Sequence, residues 1–240
     1  MKPSTIERHY PTSRALCEAV LADAGPTVLL SFSAGKDAVA SWLQLRELGF
    51  TRIVPFYLYL VPGLEFVEQG LRYYEEFFQT PILRLPDPST NRMLQALVFQ
   101  PPERAALLET IKIPRLTVEH LDQHVRAVAG APDAYVAIGN RAADSPIRLA
   151  NIRRYGSVNP GRRSFLPIYD WRVADLRKSL LAARVRLTVD YQLFGRSFDG
   201  IDWRFMAPIK EHYPDDYARI LEFFPLANLE IMRRNLRRPS

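Results

Sequence analysis

The sequence predicts an α/β fold: a five-stranded parallel sheet with helices on both faces and a mostly helical C-terminal appendage. Three observations point there. Short β-branched or aromatic runs alternate with segments of helical period. The run Ile53–Val61 is apolar too continuously for a strand with one wet face. The 240 residues, 48% hydrophobic and 24% charged, lie near globular averages and suffice for a sizeable core.

In chain order, Leu16, Cys17, Val20 and Leu21 share one face of a helix over Ser13–Ala24, with Gly25 as its stop, so Cys17 reads as a small core residue. Thr27–Phe32 is a β-rich run and Ser33–Asp37 a polar turn. Val39, Trp42, Leu43 and Leu45 then place a helix over Ala38–Leu48. Ile53–Val61 is the second strand, Phe66–Phe78 a helix and Pro81–Leu85 the third strand, an alternation that implies parallel pairing. Arg92–Gln100 and Glu103–Ile111 read as short helices split by Pro101-Pro102, and a helix capped by Thr117 runs to about Ala129. Tyr135–Gly139 and Phe165–Tyr169 are the fourth and fifth strands, each followed by a polar loop. Arg172–Ala183 closes the α/β part. Tyr191–Arg204 is rich in Gly, Asp and aromatics, Tyr217–Phe224 and Leu229–Leu236 are helical, and Arg233–Ser240 is a basic end.

One cysteine excludes an internal disulfide, a zinc cluster and a two-cysteine thiol relay. The formal charge of +6 is almost all arginine, since the lysines are only Lys2, Lys36, Lys112, Lys178 and Lys210. Arginine forks suit phosphates and carboxylates and stack on bases. Nucleic-acid contact and a plain compositional preference for arginine both stay open. Met1–Tyr10 is unlike a signal peptide, and the longest apolar run, Val54–Leu64, is too short to span a bilayer. A cytoplasmic protein that does not use a membrane is the expectation.

The most informative stretch is Leu30-Ser31-Phe32-Ser33-Ala34-Gly35-Lys36-Asp37-Ala38. A Walker A loop is rejected, because Leu30 stands where its first Gly belongs and Asp37 where Ser or Thr follows the Lys. A shorter anion cradle fits: Ser31, Ser33 and backbone N–H groups through Gly35 wrap an oxyanion at the positive end of the next helix. Lys36 adds a point charge, and Asp37 orients a metal-bound water or caps the helix.

Those residues resemble the PP-loop, or adenine-nucleotide α-hydrolase, superfamily, whose signature is S-x-S-G-G-K-D-S after the first strand. Ala34 and Ala38 depart from it. Within the superfamily the chain looks most like the phosphoadenosine-phosphosulfate reductase branch. Gly63, Phe66 and Glu68 match its Asp-Thr-Gly…Phe-Pro-Glu-Thr segment without the leading Asp; Gly139, Arg141, Asp144, Ser145 and Arg148 match its Gly-x-Arg-x-x-Glu-Ser-x-x-Arg loop; Pro167, Ile168 and Trp171 match its Pro-Ile-x-x-Trp. The resemblance covers about residues 26–185. It implies a Rossmann-like PP-loop nucleotide-binding domain over 1–185 and a helical extension, 186–240, packed on it. It implies a nucleophilic Cys in the C-terminal tail and often an iron–sulfur cluster, but Tyr191–Trp203 contains no Cys.

The expected function is therefore a PAPS reductase-like ATP pyrophosphatase that adenylates a substrate, with a nucleobase or nucleic acid as candidate acceptor. The alternative is a non-catalytic nucleotide-binding module, and a sulfonucleotide reductase using an external thiol ranks last. The expected site has Lys36 and Asp37 as catalytic residues and Ser31, Ser33, Ala34, Gly35, Lys36, Gly139 and Arg141 on the nucleotide. Asp144, Ser145 and Arg148 are expected on the substrate, and Asp37 on a metal. The expected cofactors are ATP or a related adenine nucleotide with Mg²⁺ and no Fe–S cluster. Expected partners are a nucleic-acid substrate, a separate sulfur-donor protein and a second copy of the chain. Arg153, Arg154, Arg162 and Arg163 read as further phosphate clamps. Weaker candidates are His120 and His124 with Glu119 and Asp122, and the pair Asp199 and Asp202.

Overall fold

The computed structural model describes residues 6–236, so the basic end beyond them lies outside the description. The fold is α/β with a helical C-terminal region. Helix α1 (Ser13–Ala24) starts where the Thr12 hydroxyl accepts the Ala15 N–H and stops at Gly25, which has φ +77°. It buries Leu16, Cys17 and Val20. Then follow β1 (Thr27–Ser31), α2 (Lys36–Glu47), β2 (Arg52–Tyr59), α3 (Glu65–Phe78) and β3 (Leu83–Pro86). Val28, Leu29 and Leu30 are all fully buried, and since successive side chains of a strand point to opposite faces, both faces of β1 are covered.

Helix α4 (Pro88–Gln95) begins four residues before the predicted Arg92, because Asp87 accepts the Ser89 N–H and Pro88 occupies the first turn. Helices α5 (Pro102–Ile111) and α6 (Val118–Val128) follow, then β4 (Val136–Ile138). The expected polar loop after β4 is a single 3₁₀ turn, Ala142–Asp144, and a helix, α7 (Pro146–Tyr155). Among the described residues the sheet has six strands, not five. A hairpin of two-residue strands, β5 (Val158–Asn159) and β6 (Ser164–Phe165), closes it, and β5 runs antiparallel to β6. The predicted fifth strand thus ends at Phe165 rather than Tyr169: Leu166 still donates across the hairpin to the Ser157 carbonyl, and Tyr169 and Trp171 donate in turns beyond it. Strand order is β3-β2-β1-β4-β6-β5, with β1 parallel to β2 and β4, and β4 parallel to β6. Helix α8 (Val173–Ala182) packs its buried Leu176 with Ala40 and Ile168, with Trp171 beside them.

The Gly-, Asp- and aromatic-rich segment forms α9 (Val189–Phe194) and α10 (Trp203–His212), ahead of α11 (Pro214–Phe223) and α12 (Leu229–Leu236). The chain groups into two compact units. One comprises the described part of Met1–Tyr57 with Glu75–Arg84 and Glu119–Leu187; in it Trp42 stacks on Phe78 at 4.0 Å. The other comprises Leu58–Tyr74, Leu85–Val118 and the described part of Thr188–Ser240. Its core gathers Phe66, Phe198 and Phe205, with Phe66 and Phe198 edge-on at 5.3 Å and half-buried Phe194 against Phe66 and Phe205.

Candidate functional site

The last paired residues of β1 and β4 sit side by side, Ser31 opposite Ile138. From β1 the sheet continues through β2 and β3 on one side and through β4, β6 and β5 on the other. Where strand order reverses in this way, the loops leaving the carboxyl ends diverge and open a crevice. Both sequence motifs emerge there, one after β1 and the other after β4.

The first loop is anchored by buried Phe32, whose N–H donates to the Phe56 carbonyl at 2.9 Å. Ser31 is half-buried and Ser33 exposed. Ala34 takes φ 57°, the left-handed region that favours glycine. Gly35 is the N-cap of α2 and brings no side-chain cap, so the first-turn N–H groups face the loop without one. Asp37 lies in that first turn, where the helix dipole favours a carboxylate.

The structure joins the two motifs by an alternating chain of charges. Lys36 Nζ donates to Asp37 Oδ2 at 2.7 Å, and Arg141 Nε donates to Asp37 Oδ1 at 2.7 Å. Arg141 Nη2 donates to Asp144 Oδ1 at 2.5 Å, and Arg148 Nη1 donates to Asp144 Oδ2 at 2.7 Å. Arg141 is the buried centre, its side chain 3% exposed, and its Nη1 also donates to the Trp171 carbonyl at 3.3 Å. A guanidinium can be held so deep because two carboxylates and a carbonyl replace its water. Three cations against two carboxylates leave the chain with one positive charge in excess. It is suited to an anion that competes with Asp37 for Lys36 and Arg141.

Gly139 has a steric role. A Cβ there would sit 3.0 Å from the carbonyl carbon and oxygen of Asp37, so glycine lets the end of β4 lie against the first turn of α2. Ser145 is the N-cap of α7, its hydroxyl accepting the Arg148 N–H at 3.2 Å. Nothing in the sequence pairs the two loops, so the Asp37–Arg141 bridge and the Trp171 carbonyl are not legible in it. The Pro-Ile-x-x-Trp match was the one signal for Trp171 itself.

Other candidates are placed elsewhere. Arg162 makes a two-pronged pair with buried Asp122, through Nε at 2.5 Å and Nη2 at 3.1 Å. Arg163 is buried, donating to the Asp133 carbonyl and lying over the Tyr135 ring. These two arginines are structural rather than phosphate clamps, whereas Arg153 and Arg154 stay exposed on α7. His120 and His124 are exposed on α6, with Asp122 between them committed to Arg162. Asp199 pairs with Arg196, and Asp202 is the N-cap of α10. A cleft of about 760 Å³ lined by Thr12, Gln44, Asp170, Trp171, Asp175 and Lys178 contains none of the loop residues.

No protein-family model matches the chain, and no curated protein matches it. Among solved structures it is similar to the U34-tRNA thiolase NcsA from Methanococcus maripaludis with its [4Fe-4S] cluster, at 11% identity and a TM-score of 0.45. The match covers 84% of this chain and 72% of that one. The expected cofactor set is corrected accordingly: that structure holds a [4Fe-4S] cluster, so the exclusion of a cluster does not stand. Both Asp37 oxygens are engaged by cations, and no group of three or more His, Cys, Asp or Glu among the described residues could hold a metal ion by itself. Mg²⁺ carried on nucleotide phosphates needs no more than one or two carboxylates, and Asp37 is the one at the loop that could supply it once its cations turn to the phosphates. No described helix is long and apolar enough to cross a membrane.

Proposed function

We propose that the protein binds an adenine nucleotide at the β1–α2 loop and acts as an AMP-forming ATP pyrophosphatase that adenylates an acceptor. The observation that supports this most is the meeting of two PP-loop-like motifs at the reversal of strand order, tied through Asp37 and Arg141. The pyrophosphate portion of ATP lies over Ser31, Ser33 and Gly35 at the α2 N-terminus, with Ala34 shaping the turn. Lys36 and Arg141 turn from Asp37 toward the phosphates. An acceptor oxygen attacks the α-phosphorus, the bond from it to the bridging oxygen breaks, and the electron pair leaves with pyrophosphate. Lys36 stabilises the charge gathering on that leaving group. Asp144, Ser145 and Arg148 border the acceptor, for which a nucleobase or nucleic acid suits the arginine excess. Any sulfur transfer would take its sulfur from a separate protein.

A second reading, a nucleotide-binding module without turnover, is favoured by buried Ala38 at the position of the motif's last Ser and by the double engagement of Asp37. Incubation with α-labelled ATP and single-stranded RNA, DNA or small acceptors separates the two. AMP and pyrophosphate are expected. ADP as product sinks the proposal, and saturable binding with no turnover selects the module. Lys36→Ala is expected to weaken nucleotide binding on either reading, by about 10- to 100-fold for the loss of one charged hydrogen bond.

A further inference from the structure

Helix α7 (Pro146–Tyr155) buries none of its ten residues. Its sequence, PIRLANIRRY, carries Arg148, Arg153 and Arg154 and no acid. A helix this short is marginal alone and normally persists by packing an apolar face. This one half-buries only Leu149 and Ile152 and is fixed at both ends. Ser145 caps it and Arg148 pairs with Asp144 at the start. Gly156 ends it at φ +87°, where any Cβ would stand 2.1 Å from the Arg8 carbonyl oxygen. Arg153 and Arg154 have no carboxylate partner among the described residues, and the Arg154 guanidinium lies 5.1 Å from the Tyr155 ring centroid. Ile147 is 74% and Tyr155 52% exposed.

The C-terminal end of α7 opens on a cleft of about 350 Å³ whose wall includes Arg8, Tyr155, Ser157, Asn159 and Ser164. Ser157 is buried and its hydroxyl has no hydrogen-bond partner among the described residues. Asn159 accepts the Arg162 N–H at 3.1 Å. An unmatched buried hydroxyl is costly unless something meets it. Arg8 is fixed at this wall because its carbonyl accepts the Ser157 N–H at 2.8 Å.

We propose that α7 and this cleft form a docking track for single-stranded nucleic acid, with Arg153 and Arg154 on backbone phosphates and a base held by Tyr155 and the cleft. Unpaired acidless arginines beside an exposed aromatic are the pairing that single strands use, charge along the backbone and a ring under a base. The ten-residue helix is about 15 Å long. That equals about four nucleotides at roughly 3.4 Å each, and the Arg148–Asp144 end of this span belongs to the charge chain of the candidate site. The track thus names the acceptor class left open above and rests on that reading, but it is tested by binding without turnover.

Fluorescence anisotropy with a short labelled single-stranded RNA of mixed sequence, and DNA of the same sequence, reads it directly. Arg153→Ala with Arg154→Ala should weaken binding about tenfold or more and lower the slope of log K against log salt by about 1.4. Tyr155→Ala should cost about 5- to 100-fold while Tyr155→Phe binds as wild type. The double Lys variant at 153 and 154 should retain most affinity, since phosphate contact needs charge. Arg177→Ala on α8 should bind as wild type. The proposal is overturned if the double Ala variant binds normally, if Arg177→Ala loses as much, or if phosphatidylserine vesicles bind and neither strand does. The double Ala variant should bind ATP unchanged, so a wild type that takes RNA but not ATP defeats the enzymatic reading and leaves the track standing.

Discussion

Ala34 shows how magnitudes decide the effect of one residue. A left-handed alanine costs about 1–2 kcal/mol, while Gly at the same place would give back about 0.4–1 kcal/mol in unfolded-chain freedom and about 0.8 kcal/mol of lost methyl burial. Ala34→Gly should therefore stay within about 0.5 kcal/mol of wild type in urea unfolding, and Ala34→Val should lose about 2 kcal/mol or more. A large stabilisation by Gly would show that this strain estimate is wrong. At Gly139 the opposite holds. The added methyl of Gly139→Ala meets Asp37 backbone at 3.0 Å, so a loss of about 1–3 kcal/mol is expected, accompanied by weaker nucleotide binding as α2 is displaced. Cys17 is the chemically quiet residue its helical position suggested: burial pushes its thiol from 9.0 up to about 12, against a hydrogen bond from Gln44 that lowers it. The folded state keeps the proton, so this group's stabilisation is complete below about pH 9 and declines as pH rises toward 12. Disulfide reagents at mildly alkaline pH should label Cys17 only at the rate of unfolding; fast labelling of folded protein would refute its burial.

At the scale of elements, the helices with a clear apolar period and a visible cap were legible, and the departures have local causes. Helix α4 moved because the Asp87-Pro88 cap outweighed the apolar spacing downstream. Strand β5 is invisible to periodicity at two residues, and β6 shows in the sequence only as the overlong run Phe165–Tyr169; partner strands, not side-chain pattern, set the bounds of both. Helix α7 is not legible because none of its residues is fully buried and its apolar stripe is only the half-buried pair Leu149 and Ile152. The start of α3 is another case that spacing cannot reveal: buried Asp216, far along the chain on α11, accepts the N–H groups of Glu65 and Phe66 at 2.7 and 3.0 Å. Asp216→Ala leaves both donors unpaired and should cost about 2–4 kcal/mol, measured by chemical denaturation. Asp216→Asn, which keeps one acceptor, should recover part of it. Equal stability of the Ala variant and wild type would remove this cap from the account.

For the molecule as a whole, ligand binding offers the broadest check. A nucleotide present at about 100 times its Kd should add about 2.7 kcal/mol to unfolding, seen as a rise in Tm. Lys36→Ala should abolish most of that rise without changing the Tm of the free protein, because Lys36 is partly exposed and its loss leaves Asp37 still paired with Arg141. A nucleotide that shifts both proteins equally would place binding away from the β1–α2 loop. The sequence by itself determined the α/β class, the buried β1 run, the β1-loop-α2 unit and the residues of both motifs, because burial patterning and turn chemistry are local properties. Only the tertiary structure decided that the fifth and sixth strands pair as a hairpin at the sheet edge. It alone also decided that Arg162 and Arg163 are structural and that Asp37 and Arg141 share one bridge. Those outcomes depend on strand order and on which charges meet across more than a hundred residues of chain, as the separation of 104 between Asp37 and Arg141 shows, and no local pattern encodes such a meeting.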